Sequence, residues 1–306
     1  MYDLDLSSVI ACSSASLTLL RIDTHVLDKS KKWFTEACTE GGTALSFEIE
    51  ERLHQEQTPF QNVEIYSTKS FGTLMVIDGF IMLTERDNFI YHEMLVHPAL
   101  FSHPNPESVV IAGGGDCGSL HEVAKHPCVQ NISQVEIDER VTRLSEMYFP
   151  DLCTDNHDPR VKLIFEDAVE WVQMCQPSSV DIIIVDSTDP IGPGEGLFST
   201  SFYTDCFRVL RPGGLLIQQS ESPVIHLESI IKPMHDSMRV AGFLDTDLIH
   251  FPQPCYPTGW WSATIASKSG QLAFVREKSA RHPGFETRYY NHSIHLASLS
   301  MPQFMK

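Results

Sequence analysis

The sequence has few basic residues and no long apolar run, and each shortage excludes a class of protein. Its 306 residues include 22 Lys or Arg against 40 Asp or Glu, which gives a formal charge of −18 at pH 7. This charge repels phosphate backbones and anionic surfaces, so we expect no nucleic acid and no membrane among the partners. The mildly apolar stretch from Val9 to Leu20 is too short to span a bilayer, and aspartates precede it. We therefore expect neither an anchor nor a signal peptide there.

Paired cysteines are also lacking. The 8 cysteines lie far apart in the sequence, with no CxxC pair and no histidines at zinc-finger spacing. This pattern predicts a reducing compartment, and hence a cytoplasmic protein.

Hydrophobic periodicity predicts two kinds of structure. Residues 62–83 alternate apolar and polar side chains and break at Gly72 and at Asp78-Gly79, which predicts antiparallel hairpins. Arg86 to Phe101 then follows a helical period. From residue 108 onward, apolar runs alternate with helical patterns, which predicts right-handed crossovers and a parallel, doubly wound sheet. The predicted strands are 108–112, 132–137, 161–165, 180–185 and 214–217, and the predicted helices are 118–126, 139–148, 168–175, 199–209 and 226–240.

The end of the chain contains a further strand signal. Two apolar runs between Trp261 and Val275 flank Ser269-Gly270. They predict an antiparallel addition to the edge of the sheet.

The stretch "VVIAGGGDCGSLHEV" reads as strand, glycine turn and helix. Gly113, Gly115 and Gly118 fit the pattern G-x-G-x-x-G, which lets a ligand approach the backbone at a helix N-terminus. The pattern alone also fits a structural turn without a ligand, or a nicotinamide-binding site.

Acidic residues follow this turn at the ends of the next strands. Glu136, Asp167 and Asp186 each end a predicted strand, and Asp116 lies inside the glycine turn. Carboxylates in these places fit an adenosine ligand in the crevice at the carboxyl ends of the strands. Asp167 taken alone is equally explained as a helix cap.

Asp116 argues against a dinucleotide. A carboxylate inside the glycine turn would repel a pyrophosphate at close range and attract an ammonium or a sulfonium. The expected ligand is therefore cationic, such as an S-adenosylmethionine-like molecule.

At this point the motifs resemble a known family. The segments "GGGDCGSLHEVAKHP", "VEIDERV", "EDAVEWV" and "DSTDPIGPGEGLF" together resemble the spermidine synthases, which are polyamine aminopropyltransferases. "DGFIMLTERDNFIYHEML" resembles the hairpin and helix of that family, and the similarity runs from about residue 33 to about residue 304.

The resemblance implies an α/β fold with a doubly wound, Rossmann-like sheet of the S-adenosylmethionine-methyltransferase type and a small N-terminal antiparallel β domain. The expected division is a loosely ordered extension over residues 1–30, a β-hairpin domain over 31–85 and a Rossmann-like catalytic domain over 86–306. It also implies a homodimer or homotetramer, no metal and no cofactor, because decarboxylated S-adenosylmethionine is a co-substrate.

The implied donor site has a role for each acid. Asp116 would hold the aminopropyl ammonium of decarboxylated S-adenosylmethionine, Glu136 the ribose and Asp167 the adenine. The same resemblance adds further donor-binding residues, which are Gln61, Gly113, Gly115 and Ala168.

The implied acceptor site takes a polyamine. Asp186, Asp189 and Tyr91 would be catalytic, with Asp186 as the base that removes a proton from the attacking amine. The prolines and glycines of the loop after Asp186 would hold these carboxylates over the sulfonium. The other acceptor-binding residues implied by the resemblance are His92, Glu221, Tyr256 and Trp33.

The expected reaction is aminopropyl transfer to putrescine, which gives spermidine and methylthioadenosine. Two alternatives stay open: a small-molecule methyltransferase on the same fold, and a non-catalytic nucleoside-binding paralogue. Met82, where many relatives have glutamine, is the one hint of the latter. The sequence does not choose among putrescine, cadaverine, agmatine and spermidine as acceptor.

Overall fold

The structure is a computed structural model that describes residues 27, 28, 30–190 and 192–306. The predicted extension over residues 1–30 lies almost entirely outside the described residues, so that expectation stays a prediction. Contacts group Trp33–Lys306 into one compact unit.

The first of its two sheets has five strands in the order of the chain. From β2 to β5 the neighbours pair antiparallel. The turn between β4 and β5 has positive φ at Asp78 (50°) and Gly79 (88°), as the Asp-Gly hairpin signal predicts. The strands are β1 (Lys32–Cys38), β2 (Thr43–Gln57), β3 (Asn62–Thr68), β4 (Gly72–Ile77) and β5 (Phe80–Thr84).

The second sheet has seven strands in the order β11-β12-β10-β9-β6-β7-β8. Five adjacent strands of this sheet run parallel to one another, and in sheet order they are β10, β9, β6, β7 and β8. The strand β12 is antiparallel to both of its neighbours. This arrangement confirms the predicted α/β class with a small N-terminal antiparallel sheet. The strands are β6 (Ser108–Gly113), β7 (Asn131–Glu136), β8 (Val161–Phe165), β9 (Val180–Asp186), β10 (Leu210–Gln219), β11 (Asp245–Pro252) and β12 (Trp260–Ser267).

Helices cover both faces of this sheet, because alternate residues of its strands belong to two separate apolar cores. Ile111 and Ile184 pack with α1 and α2, whereas Ala112 and Val185 pack with α4, α5 and α6. Such continuous apolar strands are typical of a parallel sheet buried on both sides. The helices are α1 (Asn88–Ser102), α2 (Gly118–Ala124), α3 (Glu139–Tyr148), α4 (Ala168–Met174), α5 (Thr200–Val209), α6 (Lys232–Ala241), α7 (Glu277–Arg281) and α8 (His292–Ser298).

The predicted antiparallel edge is present, but one of its two strands was placed wrongly. The run from Trp261 becomes β12, and its outer partner is the preceding strand β11, not the run that follows Gly270. Leu272 and Phe274 of that later run pack against the core from outside the sheet. The backbone N–H of Leu272 donates to a side chain, Asp245 Oδ2 (2.9 Å), so it is not part of a strand ladder.

The helix predicted over residues 226–240 is divided in two. A π-helical turn, Leu227–Ile231, precedes α6, whose first turn contains Pro233. His226 immediately precedes the π-helical turn.

A buried carboxylate holds the C-terminal segment against α1. Glu93 has no exposed surface and accepts backbone N–H bonds from Arg288 (2.7 Å), Tyr289 (2.8 Å) and Tyr290 (2.6 Å). Because three backbone N–H groups converge on this one side chain, the contact fixes the helix that also carries Tyr91 and His92. Within the described ranges, no helix is both long and apolar enough to cross a membrane.

Candidate active site

The acidic strand ends meet where the strand order reverses. β6 lies between β7 and β9, and Gly113 at the end of β6 is in register with Asp186 at the end of β9. Glu136 ends β7 one strand further out. In doubly wound sheets this switch point is where ligands bind.

A cavity of about 870 Å³, including its open mouth, lies over these strand ends. Its walls include every predicted donor-binding residue, together with predicted catalytic and acceptor residues. Those predicted residues are Gln61, Gly113, Gly115, Asp116, Glu136, Asp167, Ala168, Tyr91, Asp186 and Tyr256.

The glycine turn lies against β9 too closely for side chains. A Cβ on Gly113 would lie 2.2 Å from the carbonyl oxygen of Asp186, and Gly114 donates its N–H to that oxygen at 2.7 Å. A Cβ on Gly115 would lie 2.9 Å from Glu136 Oε2. Glycine at these positions therefore allows the turn to pack directly against Asp186 and Glu136.

The half-buried Asp116 forms an ion pair with the buried His92. The His92 Nε2 lies 3.3 Å from Asp116 Oδ1 and 3.4 Å from Oδ2, and Gly118 donates its N–H to Oδ1 at 2.7 Å. Burial lowers the pKa of His92, but the Asp116 charge outweighs it and raises that pKa to about 9. His92 lines neither this cavity nor the second one that adjoins it. Its ring lies behind Asp116 and over Gly118, so that a Cβ on Gly118 would collide with the ring.

Glu136 and Asp167 are held by backbone N–H groups. Asp138 donates its N–H to Glu136 Oε1 (2.9 Å), and Val169 donates to Asp167 Oδ1 (2.7 Å). Burial raises the pKa of Glu136 to about 7. Asp167 is thus a helix cap, as one interpretation of the sequence had it, and it also lines the cavity. Gln61 donates its amide to Asp138 Oδ2 at 3.1 Å.

Asp186 receives two hydroxyl donors. Tyr91 Oη donates to Oδ1 at 2.7 Å and Ser119 Oγ donates to Oδ2 at 2.6 Å. Burial and the charge of Asp116 raise the pKa of the carboxyl. Sequence reasoning missed Ser119, because it lies on α2 and nothing in its motif shows that it faces β9.

A second cavity, of about 990 Å³ with its opening, joins the first. The two share wall residues Met82, Tyr91, Ser187, Thr188 and Tyr256. The second cavity thus begins at the catalytic candidates and extends away from the donor side.

Carboxylates dominate the polar wall of this second cavity. Asp189 and Glu221 were predicted there, whereas Glu36, Glu40 and His226 were missed. The missed residues lie on β1, on the turn after it and before the π-helical turn, where no strand-end motif marks them. Trp33 is half-buried on β1 and lines neither cavity.

The buried acids of the second cavity hold their protons more tightly than usual. Burial, with the nearby Asp189 charge, raises the pKa of Glu36 to about 7 and raises that of Glu221 well above its usual range. Removal from water without a counter-cation is the cause. A cationic ligand would supply the missing charge.

Tyr256 joins the two sheets at the boundary between the cavities. Its hydroxyl donates to the carbonyl oxygen of Met82 at 2.6 Å. The Met82 side chain lines both cavities. At this position, where the resemblance led us to expect glutamine in relatives, the wall is therefore apolar.

Among the described residues, His92, Asp116 and Asp186 form the one cluster whose ligand atoms lie close enough to hold a metal, within 4.8 Å of one another. Each of these side chains already has a hydrogen-bond or ion-pair partner in the protein.

The sheet and its acidic crevice define a Rossmann-like transferase fold of the S-adenosylmethionine-methyltransferase type. Residues 88–277 match the family model of the spermine/spermidine synthase domain, and residues 32–85 match that of the spermidine synthase tetramerisation domain. The chain belongs to the spermidine synthase family.

Similar proteins agree with this assignment. A polyamine aminopropyltransferase of Thioalkalivibrio sulfidiphilus is 61% identical over 274 residues, which cover 90% of this chain and 96% of the relative. That of Nitrosococcus oceani is 55% identical, with 90% and 96% covered.

Solved structures show the same fold. The crystal structure of spermidine synthase in complex with the transition-state analogue AdoDATO has a TM-score of 0.85 at 31% identity, and covers 92% of this chain and 96% of that one. The spermidine synthase of Thermotoga maritima has a TM-score of 0.83 at 31% identity, with 94% and 97% covered.

The close contact at Gly113 gives a prediction with a matched control. Gly113 and Gly213 have φ of 83° and 84°, but a Cβ on Gly213 would have nothing within 4 Å. Alanine at either position should cost about 1–3 kcal/mol of unfolding free energy through backbone strain. Only Gly113→Ala should also displace Asp186 and weaken methylthioadenosine binding, measured by calorimetry beside urea denaturation. Equal binding by both variants would contradict this account of the turn.

Proposed function

We propose that the protein is a putrescine aminopropyltransferase that converts decarboxylated S-adenosylmethionine and putrescine into methylthioadenosine and spermidine. The observation that carries the proposal is the pair of joined cavities, both lined by carboxylates and, among the residues that the structure describes, neither lined by Lys or Arg. One matches a cationic nucleoside and the other a diamine. The names of the relatives and the AdoDATO complex of the similar structure support the same reaction.

In this proposal the donor occupies the first cavity. The ribose hydroxyls donate to Glu136, the adenine amino group donates to Asp167 and the aminopropyl ammonium pairs with Asp116. Gln61, Gly113, Gly115 and Ala168 complete the wall. Ordinary S-adenosylmethionine would bring an additional carboxylate next to Asp116 and Asp186, where the described part of the wall has no Lys or Arg to receive it.

The acceptor occupies the second cavity with one amine at the boundary. An alkyl ammonium with a pKa near ~10.4 has no lone pair at neutral pH, so a base must take its proton. Asp186 is that base, oriented by Tyr91 and Ser119. Its raised pKa reduces the mismatch with the amine, and desolvation of the amine reduces it further.

The free amine then attacks the methylene carbon beside the sulfonium. A carbon–nitrogen bond forms and the carbon–sulfur bond breaks, so that methylthioadenosine leaves as a neutral thioether and the secondary amine carries the positive charge. Asp189 and Tyr91 hold the amine in line, and Tyr256 and Glu221 bound the pocket. Good orientation of this kind is worth roughly 7–11 kcal/mol of the barrier.

The proposed roles of His92 and Trp33 are modest. His92 acts through Asp116, whose charge it balances before the donor arrives. Trp33 supports β1 next to the acceptor acids, without contributing to either wall.

Assembly and location belong to the same proposal. The match to a tetramerisation domain over residues 32–85 supports a homodimer or homotetramer formed through the first sheet. The scattered cysteines support a cytoplasmic location, and the 7 that the structure describes are free thiols.

A product assay tests the proposed function. Purified protein should form spermidine from decarboxylated S-adenosylmethionine and putrescine, with lower kcat/KM for cadaverine, agmatine and spermidine as acceptors. Ordinary S-adenosylmethionine should give neither aminopropyl nor methyl transfer. Methylation of any amine in the panel would instead favour the methyltransferase alternative.

Replacement of Asp186 by asparagine tests the base. Asp186→Asn should retain the fold and methylthioadenosine affinity but lose most turnover, because an amide cannot take the proton. Initial rates beside nucleoside titration give the result. The control is Asp236→Asn at an exposed position of α6, which should be unaffected. Near-normal turnover at neutral pH would exclude Asp186 as the base.

The raised pKa of Glu136 predicts a pH dependence of nucleoside binding. Ribose hydroxyls favour the ionised carboxylate, so methylthioadenosine binding must release the proton that the empty site holds below about pH 7. Affinity should fall about tenfold per pH unit below 7 and level off above it, as calorimetry from pH 5.5 to 8.5 would measure. Glu136→Gln should bind more weakly with a flat profile. A flat profile in the parent would place the ribose elsewhere.

A further inference from the structure

His226 lies at the end of the second cavity that is remote from Asp186. Its side chain is 11% exposed and lies between two carboxylates, with Nε2 3.4 Å from Glu40 Oε2 and Nδ1 3.6 Å from Glu221 Oε2. The Nδ1 atom is buried and has no hydrogen-bond partner. A buried polar atom of this kind costs free energy unless a ligand satisfies it.

Glu40 is held in place by the segment that carries His226. Ser229 Oγ of the π-helical turn donates to Glu40 Oε1 at 2.7 Å. The neighbouring Gly41 lies so close to this segment that a Cβ would be 2.6 Å from Ile225 Cδ1. The turn between β1 and β2 is therefore packed against residues 225–229, and the carboxylate beside His226 has a defined position.

These contacts determine which ring nitrogen of His226 carries the proton. Burial lowers the pKa of His226 against the opposing charges of Glu40 and Asp189, so the ring is neutral at neutral pH. A neutral imidazole has one N–H and one lone pair, and the hydrogen bond at one nitrogen fixes the role of the other. Because Nε2 is the ring nitrogen nearer to a carboxylate oxygen, 3.4 Å from Glu40 Oε2, the tautomer with the proton on Nε2 is favoured, and the lone pair of Nδ1 then lies on the side of Glu221, a residue of the cavity wall.

We propose that His226 Nδ1 accepts a hydrogen bond from the far ammonium of the acceptor diamine, and that Glu40 is a positioning residue that fixes the required tautomer. This inference rests on the proposed function. The carboxyl groups of Glu36, Asp189 and Glu221 can each pair with the second ammonium from several directions, whereas the His226 lone pair has one direction. No proton is transferred, because the far amine stays an ammonium throughout the reaction.

The test compares two amines with the same four-carbon chain. Putrescine carries a far ammonium on that chain and 1-aminobutane carries none, so only putrescine should be sensitive to His226. Calorimetry on protein saturated with methylthioadenosine measures both affinities without turnover. His226→Phe keeps the ring shape and should weaken putrescine about ten- to hundredfold, with less than a twofold change for 1-aminobutane. Methylthioadenosine affinity should stay unchanged.

A matched control is present in α6. His235 is also a largely buried histidine, with Nδ1 2.9 Å from Thr246 Oγ1, but it lines neither cavity. His235→Phe should leave both amine affinities unchanged. If His226→Phe lost affinity equally for both amines, the inference would be overturned, and His226 would only contribute its shape to the wall of the pocket. Failure of the parent protein to bind putrescine or form spermidine would instead count against the proposed function.

The role of Glu40 has its own readout. Nitrogen NMR of the imidazole should show the Nε2–H tautomer of His226 in the parent protein. Glu40→Gln should increase the Nδ1–H form and weaken putrescine more than 1-aminobutane. An Nδ1–H ring in the parent, or an unchanged tautomer with unchanged putrescine affinity in Glu40→Gln, would overturn the proposal for this pair.

Discussion

Mutual repulsion among buried carboxylates is the constraint on which the rest of this site depends. Glu136 and Asp186 are buried at neighbouring strand ends of one sheet, and the half-buried Asp116 lies beside them in the glycine turn of the same crevice. Repulsion between the carboxylates and their burial both disfavour the ionised form of each acid. The backbone pairing of β6, β7 and β9 holds the acids together, since their register follows from ladders that are buried in two apolar cores.

The protein limits this cost differently at each acid. Asp116 has a cationic partner in His92, Asp186 has two hydroxyl donors, and Glu136 keeps its proton up to about pH 7 because of burial. Glu36 and Glu221 behave like Glu136. Each arrangement leaves an acid that a cationic or hydroxyl-bearing ligand would satisfy better than the empty protein does.

The sequence predicted the parts of this site that follow from local pattern. The predicted first and last residues of α3 and β8 agree with the structure, because capping and periodicity act within a few residues. Prediction of the strands also predicted that the acids at their ends lie together, since parallel strands bring their carboxyl ends to one edge of the sheet. Strands β1, β2 and β11 were missed; β2 is largely polar and exposed, and so lacks the apolar signal of a half-buried strand. Ser119, Glu36, Glu40 and His226 were missed because they reach the cavities only through tertiary packing between distant segments.

That packing also makes the first sheet part of the site. Thr58 Oγ1 donates to Asp138 Oδ2 at 2.7 Å and Gln61 adds its amide to the same oxygen, so the loop between β2 and β3 fixes the residue whose N–H holds Glu136. From the other side, β1 and its turn supply Glu36 and Glu40 to the second cavity. Small antiparallel sheets bury little apolar area of their own. Here the sheet is stabilised by the same contacts that build both cavities, so its packing and the geometry of the site are one constraint.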